Sequence, residues 1–180
     1  MKIAIISDTH DNIVNLDKAL QYIRGEKIKT IIHLGDVVSQ ETLDYLAENF
    51  SGKLFIARGN ADLYDIKNQK LKITHSTTSG QENKYANIKI FEEYGEIEID
   101  KRKIGFVHKK SDIPNFQTPY TKYHIPNTIF YGHSHKPWIE EIKGVTYANP
   151  GNLAGIHYDP TFAVYETSSK KIKLIILNQI

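Results

Sequence analysis

Cysteine is absent from the 180 residues. That excludes disulfides, and any metal site has to be assembled from nitrogen and oxygen ligands. No apolar stretch approaches the roughly 20 residues that a bilayer-spanning helix needs, so no membrane partner is expected. Met1 opens into Lys2-Ile3-Ala4-Ile5-Ile6, a run too short for the core of a secretory signal and ended by polar Ser7-Asp8. The expected setting is a reducing cytoplasm. An excess of one charge is also missing: 23 Lys and Arg stand against 21 Asp and Glu, a net charge of +2, too even to argue for nucleic acid as a partner. The basic pairs Lys109-Lys110 and Lys170-Lys171 are short, and the second reads as solvated surface. With no internal repeat or low-complexity tract, the chain is expected to form one globular domain over residues 1–180.

What is present is an alternation of strand and helix patterns. Ile3 to Ile6 is a continuous apolar run of the kind buried on both faces. Ile13, Leu16, Leu20 and Ile23 then recur at helical spacing up to Gly25, a suitable C-terminal stop. Thr30 to Leu34 repeats the strand pattern, Glu41 to Phe50 the helical one, and Lys53 to Ala57 the strand pattern again. Strand, helix, strand, helix, strand implies a parallel sheet with right-handed crossovers. Residues 61–86 are weakly periodic and read as a long surface excursion with a short helix near Leu63 to Lys67. Ile88 and Ile90, then Ile97 and Ile99, alternate about Tyr94-Gly95 and lead to Ile104 to Val107, which predicts a second, mainly antiparallel sheet. Pro114, Pro119 and Pro126 mark 109–127 as a loop beside the site. Thr128 to Tyr131, Trp138 to Ile142, Val145 to Ala148, Phe162 to Tyr165 and Ile172 to Leu177 read as further strands.

The chemistry-bearing residues follow the strands. Asp8 and His10 come after the first, Asp36 after the second and Asn60 after the third, and in a parallel sheet those ends share the carboxyl edge, where sites form in α/β folds. His108 follows Val107, and His133 and His135 in Gly132-His133-Ser134-His135 are spaced to project in a similar direction and reach adjacent metals. Each motif alone is weak evidence. Together they supply seven ligands, two Asp, one Asn and four His, enough for two divalent ions sharing one carboxylate, and the chemistry suggested is metal-assisted phosphoester hydrolysis.

The ordered set Asp8-Thr9-His10, Gly35-Asp36, Gly59-Asn60, His108, Gly132-His133-Ser134-His135 and Asn149-Pro150-Gly151 resembles the calcineurin-like metallophosphoesterase superfamily. Within it, the chain is most similar to small bacterial and archaeal phosphodiesterases of the type that also gave the eukaryotic retromer subunit. The resemblance runs from Ser7 to about Glu166. It implies a four-layer α/β/β/α sandwich with the dimetal site on one edge. One metal would take Asp8, His10, Asp36 and His135, and the other Asp36, Asn60, His108 and His133, with Asp36, Asn60 and His108 central to catalysis. Neutral His and Asn ligands leave a surplus of about one positive charge after a bridging hydroxide is counted, which attracts phosphate. That hydroxide would attack phosphorus in line. Manganese is expected foremost, with Ni, Fe, Zn, Co and Mg as alternatives. A small phosphodiester or nucleotide derivative is the expected substrate, and assembly of identical copies is compatible with the sequence. A protein-binding scaffold of the same fold and a phosphomonoesterase or nuclease are the competing readings.

The chain departs from the family at two places that bear on rate. Many relatives carry His after the Asn, where it helps to protonate the leaving group, and the closer ones often carry Cys; this chain has Ala61. Slow hydrolysis favouring good leaving groups is expected, since general-acid help is commonly worth about 10²- to 10⁴-fold. Relatives usually have Gly after the His at position 108; here Lys109 follows and becomes a candidate phosphate contact. Arg58 is a second, or else an ion-pair partner, and Asp62 is expected either to orient a ligand or loop or to serve as a turn or helix N-cap residue. Asn152 replaces the family's Ser after Asn149-Pro150-Gly151, and the arginine often found soon afterwards is missing. His33 reads as packed; His75, His124 and His157 read as surface residues. Phe116, Tyr120 and Tyr123 suit either a cleft lining or ordinary packing.

Overall fold

Side-chain alternation along the first strand, β1 (Lys2–Ile6), sets up the layers of the computed structural model, which describes residues 1–65, 85–115 and 125–180. Ala4 and Ile6 pack toward the helices, while Ile3 and Ile5 point between the two sheets. A strand covered on both faces carries no polar alternation, which is why this segment is a continuous apolar run. Helix α1 (Ile13–Gly25) is capped by the Asn12 side chain, which accepts from Asn15 N at 3.0 Å, and α2 (Gln40–Asn49) by Ser39, which accepts from Thr42 N. Leu16, Leu20 and Ile23 of α1 and Leu43 and Leu46 of α2 bury one stripe each against the first sheet.

With β2 (Thr30–His33), β3 (Lys53–Ala57) and β4 (Ile88–Phe91), β1 forms a run of four parallel strands; β10 (Thr161–Glu166) and β11 (Lys171–Ile176) extend it antiparallel on the other side, in the order β11-β10-β1-β2-β3-β4. The second sheet runs β5 (Gly95–Ile99), β6 (Arg102–Val107), β7 (Thr128–Tyr131), β9 (Val145–Asn149), β8 (Trp138–Ile142). Ile104, Phe106, Phe130 and Ala148 from it meet Ile3, Ile5, Ile32 and Tyr165 in the space between the sheets. Its far face carries Tyr94, Val107 and Tyr131 and, among the described residues, the 3₁₀ turn Lys110–Asp112. The result is the mixed α/β sandwich of two facing sheets that was expected.

Strand pairing and one expected helix differ from the sequence expectations. β4 belongs to the first sheet, in parallel register with β3, Leu54 opposite Ile88; alternating Ile88 and Ile90 report a half-buried strand but not its neighbour. The second sheet is mixed rather than mainly antiparallel, since β6, β7 and β9 are mutually parallel. Among the described residues it has two tight hairpins, Asp100-Lys101 (φ 51° and 60°) between β5 and β6 and Lys143-Gly144 (φ 50° and 77°) between β8 and β9, each the positive pair of a two-residue turn usually signalled by Asn-Gly. Leu63, Tyr64 and Asp65 are not helical; the rest of that expected helix lies outside the described residues, as do His75, Phe116, Pro119, Tyr120, Tyr123 and His124. No helix among the described residues is long and apolar enough to cross a membrane.

Candidate metal centre

Strand ends deliver the polar residues to one edge, and irregular backbone then aims them. Asp8, His10, Asp36, His133 and His135 all have positive φ, between 43° and 67°, a region costly for residues with a Cβ and retained mainly where function or surrounding structure demands it. Cross-links hold these loops: Asp8 N donates to Gly35 O, His10 N to Asp36 O and Gly132 N to His108 O. Gly35, at φ 99°, passes so close to its neighbours that a Cβ there would lie 2.7 Å from Gly59 N and 2.8 Å from His108 Nδ1. The glycines preceding Asp36 and Asn60 therefore let two ligand loops touch.

The ligand atoms fall into two groups. Asp8, His10 and His135 form one and Asp36, His108 and His133 the other, each with its donor atoms within 4.8 Å of one another. In the first, His10 Nε2 and His135 Nε2 face each other at 3.2 Å. Asp8 is fully buried; its Oδ2 accepts from Ser7 Oγ and His133 N, but Oδ1 has no hydrogen-bond partner, with His135 Nε2 at 3.4 Å and His10 Nε2 at 4.0 Å. A buried carboxylate oxygen without a donor is costly unless a cation takes that place. Burial works against ionisation of Asp8, yet contact with His135 and Ser7 and the nearby His108 together hold its pKa below the ordinary carboxylate value. The pKa of His135 is raised by the same Asp8 contact.

Asp36 stands between the groups. Its Oδ1 accepts from Ala61 N at 2.9 Å, which leaves Oδ2 3.5 Å from His10 Nε2 on one side and 3.5 Å from His108 Nε2 on the other. His108 Nδ1 donates to Leu34 O at 2.8 Å, which aims Nε2 at the site as the nitrogen available to a metal. Asn60 Oδ1 lies 3.1 Å from that Nε2 and joins the second group. Burial, helped by His108 and the Lys109 ammonium, lowers the pKa of His133, which favours the neutral ring that can donate a lone pair. These nitrogen and oxygen donors fit borderline divalent ions.

Residues 1–170 match the calcineurin-like phosphoesterase superfamily domain. The chain belongs to this family. It is 29% identical over 178 residues to phosphodiesterase MJ0936 of Methanocaldococcus jannaschii, covering 98% of this chain and 99% of the relative. Among solved structures, a novel archaeal phosphodiesterase superposes with a TM-score of 0.74 at 26% identity, covering 98% of this chain and 99% of the other. YfcE, a phosphoesterase from E. coli, superposes with a TM-score of 0.62 at 16% identity, covering 99% and 100%, and shares the fold. The family is metal-dependent, and the two His/Asp groups are its candidate metal-binding residues here.

Around this calcineurin-like centre, Asp62 accepts from Gly59 N at 2.7 Å, Val38 N at 2.8 Å and Asp36 N at 3.2 Å, tying together the loops that carry Asp36 and Asn60. Arg58 pairs with Glu92 at 2.7 Å, donates to Tyr64 O and stacks over the Tyr64 ring; of its two expected roles, these contacts are the structural one. Lys109 has φ −102° and ψ 137°, extended backbone open to any residue, so the missing glycine after His108 imposes no strain. His33, expected to be packed, is fully buried outside both ligand groups and also positions the site. It accepts from Gly35 N and so donates through Nε2 to Thr9 Oγ1, and burial drives its pKa down to about 4, leaving it neutral. A histidine two residues before Gly35 was the only signal of that role.

Proposed function

We propose that the chain is a phosphodiesterase that uses two divalent ions, manganese foremost, to hydrolyse small phosphodiesters or nucleotide derivatives. The observation that carries this reading is Asp36 Oδ2, 3.5 Å from a ring nitrogen of each ligand group, the placement expected of a carboxylate shared by two ions roughly 3.5–4 Å apart. Asp8, His10 and His135 would hold the first ion, and Asn60, His108 and His133 the second. When bound, the pair supplies Lewis-acid charge for the phosphoryl oxygens and acidifies water. The protein's own contribution is orientation. Leu34 O fixes the His108 ring, Ala61 N occupies one oxygen of Asp36, and Asp62 locks the loops, so the donors need not reorganise during reaction. Lys109, whose charge acts on His133, is the residue we assign to contact a phosphate oxygen. The name phosphodiesterase borne by the Methanocaldococcus relative favours diesters.

The test is to strip the protein of metal, add back Mn, Ni, Mg and Zn separately, and compare bis(p-nitrophenyl) phosphate with p-nitrophenyl phosphate. Faster diester turnover is expected. Preference for the monoester would reassign the activity, and no turnover with any metal would leave the scaffold reading.

A further inference from the structure

A third imidazole, His157, neighbours the His10–His135 pair. The His10 and His135 ring centroids are 5.1 Å apart, and the His157 ring centroid lies 6.4 Å from that of His135. His157 is exposed, and its ring nitrogens have no hydrogen-bond partner among the described residues. An exposed histidine ordinarily samples many positions, but the backbone beneath this one is anchored. Leu153 N donates to Ser7 O and Ala154 N to Asp8 O, which ties the loop to the ligand segment that follows β1. Asn15 Nδ2 donates to Leu153 O at 2.7 Å and Asn12 Nδ2 to Ala154 O at 3.0 Å. Asn152, fully buried, accepts from Ile156 N at 2.9 Å while its Nδ2 donates to His135 O at 3.1 Å. The residue before His157 is thus clamped to the backbone of a metal-ligand candidate. His157 itself sits at φ 65°, a conformation with a cost for any residue bearing a Cβ.

The opposite observation is at Asn60. Ala61 follows it and offers no side-chain donor for the departing oxygen of a phosphodiester. We infer that His157 supplies it: the anchored imidazole donates a ring N–H to the leaving-group oxygen, and the loop Ile156-His157-Tyr158 forms the leaving-group subsite. In the reaction, water oxygen bonds to phosphorus and the P–O bond to the leaving group breaks. The bonding pair stays on the departing oxygen, whose growing charge the N–H stabilises. The water's proton goes to solvent and the alkoxide takes one from solvent, giving monoester and alcohol. Ile156 and Tyr158, 39% and 44% exposed, flank the imidazole with apolar surface suited to an aryl or nucleoside group. This inference rests on the phosphodiesterase reading.

The experiment compares the protein with its H157G and H157Q variants on p-nitrophenyl, p-chlorophenyl and phenyl methyl phosphates, with manganese. Glycine removes the donor and suits the positive φ; glutamine restores an N–H. H157G is expected to lower kcat/KM about 30-fold for the phenyl ester and less than threefold for the p-nitrophenyl ester, whose leaving oxygen needs little help, and H157Q to recover part of the difference. Metal content by mass spectrometry should stay unchanged, and phenyl methyl phosphorothioate should shift the His157 ring N–H in ¹⁵N NMR. An equal loss across the series, no loss, or loss of metal in H157G would overturn the inference. Failure of the unmodified protein to cleave any ester would instead sink the phosphodiesterase reading on which it stands.

Discussion

Replacing Asp62 separates the support of the centre from its ligands, because this carboxylate belongs to neither ligand group. Oδ1 accepts from Val38 N at 2.8 Å; Oδ2 accepts from Gly59 N at 2.7 Å, Asp36 N at 3.2 Å and Tyr64 Oη at 3.2 Å. In Asp62→Asn the Oδ1 bond survives, but an amide N–H₂ can take the place of Oδ2 and then faces three donors. A hydrogen bond to a charged group is worth about 1.5–3 kcal/mol, and one stretched to this length less. Losing the short Gly59 bond and the longer Asp36 bond should therefore cost the metal-free protein about 2–4 kcal/mol, and Asp62→Ala, which also frees Val38, about 3–5 kcal/mol. The loss does not stay local. Val38 is β-branched and held at φ 82°, and Asp36 at φ 57°, so release of their amides lets the loop relax and carries Asp36 away from its position between His10 and His108. Manganese should then bind about 10- to 100-fold more weakly. Urea unfolding of the metal-free variants and calorimetric titration with Mn²⁺ measure the two effects. An Asp62→Asn protein within about 0.5 kcal/mol of the original, with an unchanged binding isotherm, would refute the reasoning.

Asn60→Ala and His108→Ala should each reduce bound manganese from two ions toward one per chain, by mass spectrometry, and lower kcat at least about 100-fold; full activity in either would remove that residue from the second site. Gly35→Ala places a Cβ 2.7–2.8 Å from Gly59 and His108 at φ 99°, and should destabilise by about 2–5 kcal/mol from overlap and backbone strain together, read by urea denaturation. His33 gives a pH signature. Its folded pKa of about 4 lies below the ordinary 6.5, so both states are neutral above pH about 6.5, and on acidification the unfolded chain takes up a proton that the folded one refuses until about pH 4. Stability should fall across that window by about 3 kcal/mol in total. Metal-free His33→Gln should show a correspondingly shallower decline between pH 6.5 and 4; parallel curves would contradict it.

Local patterns made most of the fold readable. Ile3 to Ile6 read as a buried strand because both of its faces are covered, and Leu16, Leu20 and Ile23 marked a helix because they share one stripe. The ligand candidates were legible for a related reason: a polar group directly after a parallel strand must lie at the carboxyl edge, as Asp8, Asp36 and Asn60 do. Less visible were pairings that depend on distant partners. Ile88 and Ile90 alternate identically whichever sheet receives them, and only the register with Leu54 and Ile56 puts β4 beside β3. Lys109 looked like a backbone anomaly until its extended conformation removed the need for glycine.

By itself, the sequence determined the strand and helix segments, the nitrogen and oxygen character of any metal site and the seven candidate ligands, because burial periodicity and side-chain chemistry are properties of short segments. Tertiary structure decided which of those residues share a point in space. His33 and His108 each stand at or just past the end of a strand, yet one ends as a neutral, buried brace between Gly35 and Thr9 and the other beside Asn60 and Asp36. Nothing local distinguishes them. The difference comes from which strand is the neighbour and from backbone held at positive φ around Asp8, Asp36 and His133, and both belong to the packing of two sheets whose strands come from distant parts of the chain.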